Sequence, residues 1–165
     1  MNHSSFSVSL EKEQLIFSAA HFITFGNNIC ERLHGHNYRV ACEVTGPLNQ
    51  HAFVIDFIAL RDGLQAIVAG LDHRVLLPTR HPSISVRKEG SEVVVRFEER
   101  RWIFPEADCR LLPVDNTTAE RLAEYIGSEL RPLIEKVAPG WSKLLVAVDE
   151  NEGQWGRWLT ESIQA

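Results

Sequence analysis

The chain has 165 residues, 44% of them hydrophobic, enough for one compact domain spanning residues 1–165 with a sizeable core. Its 17 Lys and Arg against 22 Asp and Glu leave a net charge of −5 and a pI near 5.8. That balance argues against a general nucleic-acid or anionic-membrane surface, so any phosphate-binding site must be a local pocket. Three cysteines (Cys30, Cys42, Cys109) and the polar opening Met1-Asn2-His3-Ser4-Ser5, without a signal-type apolar region, indicate a reduced, cytoplasmic setting. The longest apolar runs are too short to span a bilayer.

From Phe6 to His21 the β-favouring residues Phe6, Val8, Leu10, Leu15, Ile16 and Phe17 predict a strand. A loop over Thr24–Leu33, with the turn-prone cluster Gly26-Asn27-Asn28, leads into Cys30-Glu31-Arg32-Leu33-His34-Gly35-His36, and a second strand is predicted over Asn37–Thr45. If His34 and His36 lie on that strand, their i, i+2 spacing sends both imidazoles to one face. With His21 they supply three nitrogens, the donor set of an open catalytic zinc site. Other divalent metals also accept imidazole. Cys30 reads either as a small buried apolar residue, as Cys42 does on its strand, or as a thiolate base favoured by a neighbouring zinc and imidazoles.

After the Gly46-Pro47 break, Phe57, Leu60, Leu64, Ile67, Val68 and Leu71 recur at helical spacing behind Asp56 as N-cap. Asp72-His73 at its end reads either as the polar terminus of the helix or as a carboxylate–imidazole proton relay. Ile84–Lys88 and Glu92–Glu98 form a predicted hairpin around Lys88-Glu89-Gly90-Ser91, with Arg101–Phe104 as a further strand. Thr117-Thr118-Ala119-Glu120 has capping-box spacing, with Glu120 assigned to the cap, ahead of a helical stripe of Leu122, Ile126, Leu130, Leu133 and Val137 that Pro132 is expected to bend. Leu144–Asp149 and Gln154–Trp158 close the chain as a strand pair. The order ββα, extra β, αββ predicts an α+β fold, two helices covering one face of an antiparallel sheet. Trp102, Trp141, Trp155 and Trp158 are expected in the core or an interface, and His3, His51 and His81 at the surface.

Six blocks in this order resemble the 6-pyruvoyltetrahydropterin synthase superfamily: Phe17-Ser18-Ala19-Ala20-His21, Cys30-x3-His34-Gly35-His36-Asn37-Tyr38, Val54-Ile55-Asp56-Phe57, Leu71-Asp72-His73, Thr117-Thr118-Ala119-Glu120 and Val148-Asp149-Glu150. Within it the chain is most similar to the bacterial 6-carboxy-5,6,7,8-tetrahydropterin synthases, because the pyruvoyl enzymes usually have more than three residues between the cysteine and His-Gly-His. The resemblance implies a tunnelling fold (T-fold) and Zn2+ on His21, His34 and His36. It implies that Cys30 acts as base rather than nucleophile, with Asp72-His73 working beside it, often across a subunit boundary. Glu150 would anchor the pterin, with backbone groups at Thr117 and Thr118 facing it; Arg32 is a candidate for triphosphate contact or a solvent-facing residue.

The implied reaction converts 7,8-dihydroneopterin triphosphate to 6-carboxy-5,6,7,8-tetrahydropterin, acetaldehyde and triphosphate, in queuosine and 7-deazapurine biosynthesis. The alternatives are triphosphate elimination to the pyruvoyl product, a folate-pathway relative with glutamate in or beside the cysteine's position (Glu31 here), and a non-catalytic pterin- or metal-binding module. Family members assemble as trimers or hexamers with sites at subunit interfaces. Two features depart from the pattern: residues 78–113 resemble an inserted β-hairpin region, and Glu150-Asn151 stands where the family commonly has Glu-Thr.

Overall fold

A computed structural model describes residues 5–26 and 29–162. Strand β1 (Phe6–His21) pairs antiparallel with β4 (His34–Gly46), and the connection between them carries the short strands β2 (Thr24–Phe25) and β3 (Ile29–Cys30), paired with each other. The expected turn at Asn27-Asn28, like His3, lies outside the described residues. Helix α1 (Phe57–Ala69) precedes β5 (Arg74–Pro78); then come β6 (Ser85–Glu89), β7 (Glu92–Phe97), β8 (Arg100–Pro105) and β9 (Cys109–Leu112). Helix α2 (Ala119–Val137) and the strands β10 (Lys143–Asp149) and β11 (Trp155–Glu161) complete the α+β plan.

The main sheet runs β11-β10-β4-β1-β5-β9. Its four long strands are antiparallel, as the sequence predicts, but β5 and β9 extend it in parallel pairing through Ala19↔Arg74 and Val75↔Cys109. These two short strands show no alternation that separates them from loop. The second strand also begins earlier than predicted, at His34, so the His34-Gly35-His36 run is itself in the ladder.

Both helices pack on one face of the sheet, because Phe17, Tyr38, Val40, Cys42 and Val146 point there and Leu60, Leu64, Leu122, Ile126 and Leu130 answer from the helices, all at 0–2% exposure. Each large apolar side chain so buried stabilises the fold by about 1.5–3 kcal/mol. Asp56 caps α1 as expected, accepting from the backbone N–H of Ile58 at 2.6 Å. The cap of α2 is corrected by one residue. Thr118, not Thr117, accepts from Arg121 N–H at 3.5 Å, so Glu120 sits in the first turn and not at the capping-box position. The Thr117 hydroxyl is instead drawn inward to donate to the Phe22 carbonyl at 3.2 Å. Pro132 does not interrupt α2; the carbonyl it leaves unpaired belongs to Ser128, which is exposed.

Gly156 holds the start of α2 against β11. A Cβ there would meet the Ala119 carbonyl carbon and the Glu120 nitrogen at 2.5 Å, both backbone atoms that cannot turn away. Gly156→Ala is therefore expected to destabilise the protein by about 1–3 kcal/mol in urea unfolding. An unchanged midpoint would show that this approach is not tight.

A second core lies under the sheet β6-β7-β8, built from Phe22, Leu77, Ile84, Val93, Val95 and Phe97, with Cys30, Trp102 and Phe104 packed against it. The hairpin with a further strand predicted for this region is thus a three-stranded sheet, with β9 joined to the main sheet. Trp141 and Trp158 belong to the first core and Trp102 to the second. His81 departs from its expected surface role: Nδ1 accepts from the N–H groups of Ser83 and Ile84, both at 2.9 Å, and Nε2 meets Thr24 Oγ1 at 2.7 Å.

Candidate active site

The β1–β4 register sets His21 opposite His34 and Ala19 opposite His36, so three imidazoles gather on one face at the end of the sheet. One ligand-capable atom from each lies within 4.8 Å of the others. The rings meet edge to face, with centroids 4.7 Å apart for His21–His34, 4.9 Å for His34–His36 and 5.3 Å for His21–His36.

Two of the rings have their tautomers set by carbonyls. His21 Nδ1 is 2.9 Å from Thr117 O and His34 Nδ1 is 2.8 Å from Arg32 O. A carbonyl only accepts, so each Nδ1 carries the proton and each Nε2 presents a lone pair, the second layer of contacts that orients metal-binding histidines. His21 is fully buried, and burial holds its pKa down to about 4 against the pull of the Thr117 carbonyl, keeping the ring neutral.

Glu150 Oε1 stands 3.3 Å from His21 Nε2, yet that nitrogen has no hydrogen-bond partner. Both statements hold together: an imidazole lone pair and a carboxylate oxygen are two acceptors, which a bound cation or a shared proton would satisfy. Burial raises the pKa of Glu150, against the opposing pull of His36 and His34. A set of three imidazoles in which His21 is buried and neutral, with its orphaned nitrogen beside a carboxylate, fits a divalent metal and nitrogen-ligand chemistry.

Glu150 lies one residue past β10, which ends at Asp149 as the sequence predicts. Asp149, only 2% exposed, accepts from Gly153 and Gln154 N–H at 3.2 and 2.9 Å and so builds the turn that aims Glu150. The Asp149-x3-Gly153 spacing is the sequence signal for that turn. Tyr38, two residues beyond His36 on the same face, has a buried hydroxyl without a partner, and its pKa is pushed up by burial and by the charges of Glu150 and Glu31. In the sequence, Tyr38 carries no signal beyond its place in the Cys30–Tyr38 motif.

Cys30 is half-buried at the second core, and its thiol points to the Glu31 carbonyl at 3.5 Å. Burial raises its pKa; Arg100 opposes this, and Glu31 and Glu98 add to it. This is the reverse of the thiolate expected from sequence, chiefly because burial disfavours the charged form of the thiol. Metal-free protein should accordingly alkylate slowly at Cys30 near neutral pH, the rate rising only above the ordinary thiol range near pH 9. Adding Zn2+ should move that onset to lower pH; peptide mass spectrometry separates Cys30 from Cys42 and Cys109, and an onset unmoved by metal would contradict electrostatic coupling of the two.

Asp72 and His73 are joined to each other rather than to Cys30. His73 Nδ1 lies 2.8 Å from Asp72 Oδ2, while Asp72 Oδ1 accepts from Ser18 N–H at 2.8 Å and His73 N–H donates to Ser18 O at 2.7 Å. The Ser18 N–H bond is the main reason the Asp72 carboxyl titrates below its ordinary value. The pair thus pins the end of α1 to β1, with His73 at a left-handed φ of 56° and its side chain 83% exposed. His73 lines an open groove with His36, Asn37 and Arg74. Among the described residues, no hydrogen bond or ion pair links Asp72 or His73 to Cys30. Thr117 and Thr118 reach the site through the Thr117 carbonyl on His21 rather than through their hydroxyls.

A sheet backed by two helices on one face, with a metal-competent imidazole cluster at its end, defines the T-fold class. Within that class, the chain belongs to the 6-pyruvoyl tetrahydropterin synthase family, whose model matches residues 10–160. A relative from Methanocaldococcus jannaschii, provisionally named 6-carboxy-5,6,7,8-tetrahydropterin synthase, is 33% identical over 141 residues, covering 84% of this chain and 85% of its own. The 6-carboxy-5,6,7,8-tetrahydropterin synthase of Aquifex aeolicus is 26% identical over 110 residues, covering 66% of this chain and 61% of its own. Among solved structures, the 6-pyruvoyl tetrahydropterin synthase of Plasmodium falciparum superposes with a TM-score of 0.89 at 28% identity, covering 97% of this chain and all of that one. Among the described residues no helix is long and apolar enough to cross a membrane.

Proposed function

We propose that the protein converts 7,8-dihydroneopterin triphosphate to 6-carboxy-5,6,7,8-tetrahydropterin with release of acetaldehyde and triphosphate, for queuosine and related 7-deazapurine biosynthesis. The observation that carries this reading is the three-imidazole cluster, with the buried Nε2 lone pair of His21 facing Glu150, joined to the three-residue spacing between Cys30 and His34. His21, His34 and His36 would hold Zn2+, which would supply Lewis-acid polarisation of the substrate's side-chain oxygens.

Cys30 takes a proton from the substrate side chain, and Asp72-His73 exchanges the second proton, the carboxylate fixing the imidazole's tautomer through the 2.8 Å contact. Glu150 accepts bidentate hydrogen bonds from the pterin amino group and adjacent ring N–H, fixing the ring while Tyr38 and the Thr117–Thr118 backbone close its floor. The 83% exposure of His73 suits a group completed by a neighbouring subunit, in a trimer or hexamer whose sheets join at their edges.

Chromatography of the pterin product tests the reading: a 6-carboxy product supports it, and a pyruvoyl product overturns it. One observation favours a second activity. Glu31 Oε2 lies 3.8 Å from His34 Nε2, so a carboxylate as well as a thiol borders the imidazoles; 6-hydroxymethyl-dihydropterin in the same trace would assign catalysis to it.

A further inference from the structure

The sheet β6-β7-β8 does more than cap the second core. Arg100, at the start of β8, donates from Nη1 to the Cys30 carbonyl at 2.8 Å and from Nη2 to the Glu31 carbonyl at 2.9 Å. Its guanidinium carbon lies 4.6 Å above the centre of Trp102, and Trp102 stacks on Phe22 with centroids 4.7 Å apart and planes 14° from parallel. Phe22 follows His21 directly. One continuous stack therefore runs from the β1 end that carries a metal-binding imidazole to a fork that grips the residue proposed as base.

The gripped segment has few other restraints. Glu31 N–H donates to Ile23 O at 3.0 Å, and Arg32 O is committed to His34 Nδ1. The segment 31–33 has no ladder of its own between β3 and β4. A two-pronged cation on two successive carbonyls is a much stiffer restraint than either bond alone, and a lysine cannot reproduce its planar fork.

We propose that Arg100 is a positioning residue for the reaction, clamping the Cys30–Glu31 backbone so that thiol and imidazoles keep a fixed separation, and that the β6-β7-β8 region is a working part of the site. The proposal rests on Cys30 acting as the base. Arg100 also places the one opposing positive charge beside the Cys30 thiol, but the clamp stands on the two hydrogen bonds and the stack.

The test uses the zinc-loaded protein with Arg100→Met, Arg100→Lys and the neighbouring exposed Arg101→Met. In Arg100→Met, hydrogen exchange at Glu31 N–H should quicken at least about tenfold while β10 amides and zinc stoichiometry stay unchanged. The kcat should fall about 10- to 100-fold with KM within about threefold, because a misplacement near 1 Å costs on the order of 100-fold. Arg100→Lys should recover part of both effects, and it serves if the methionine variant unfolds. Arg101→Met should leave both at wild-type values. Unchanged Glu31 exchange in both Arg100 variants, unchanged kcat with faster exchange, or equal effects from Arg101→Met would each overturn the proposal. If the wild-type protein does not turn over the pterin triphosphate, the functional reading fails instead, and the exchange measurement still decides whether Arg100 clamps the segment.

Discussion

Replacing His34 with alanine should strip the protein of its metal and lower turnover on the order of 1,000-fold. A metal's charge stabilisation is worth several kcal/mol, and each 1.36 kcal/mol is about tenfold in rate. The geometry explains why one ligand is decisive. His21 Nε2 is buried and faces another acceptor, so His34 and His36 are the groups that complete a cation site there, and two imidazoles leave a hard-to-hold ion. The fold should survive, because His34 and His36 are only partly buried and the first core does not include them. Metal analysis after dialysis, with circular dichroism, checks both halves. A His34→Ala protein that kept stoichiometric metal and full activity would remove the histidine cluster from the mechanism.

Cys30→Ala should be nearly inactive while retaining its metal, the loss lying between about 100- and 10,000-fold, the range for removing a positioned general base. The thiol points to the Glu31 carbonyl and packs on the second core, and the imidazoles fill their donor set without it, so its loss should leave the metal in place. Loss of zinc in this variant would make Cys30 a ligand, and unchanged turnover would make it only a small apolar residue. Residual activity that disappears in Cys30→Ala combined with Glu31→Gln would instead show the adjoining carboxylate acting as a second base.

The imidazole face was legible because strand periodicity is strict: two histidines two apart must share a face, and His21 ends the strand that pairs with them. The helices were legible from their stripes and from Asp56, whose side chain has one geometric use at that position. What stayed hidden depends on distant contacts. Thr117 and Thr118 are equivalent as local caps, and only the pull of Phe22 O on the Thr117 hydroxyl decides between them. Strands β5 and β9 are too short to announce themselves, and they pair in parallel across more than thirty residues of sequence. Arg100 sits in Glu98-Glu99-Arg100-Arg101, which reads as a solvated turn until the second core folds it onto Cys30. The raised pKa of that thiol was likewise hidden, because its main cause is burial, which the second core supplies.

The chemistry itself is tested most directly by counting acetaldehyde. Incubation of the zinc-loaded protein with 7,8-dihydroneopterin triphosphate, with acetaldehyde trapped and quantified beside the released triphosphate, should yield the two in equal amounts as substrate disappears. Triphosphate released without acetaldehyde would contradict the account and assign the pyruvoyl reaction to this site.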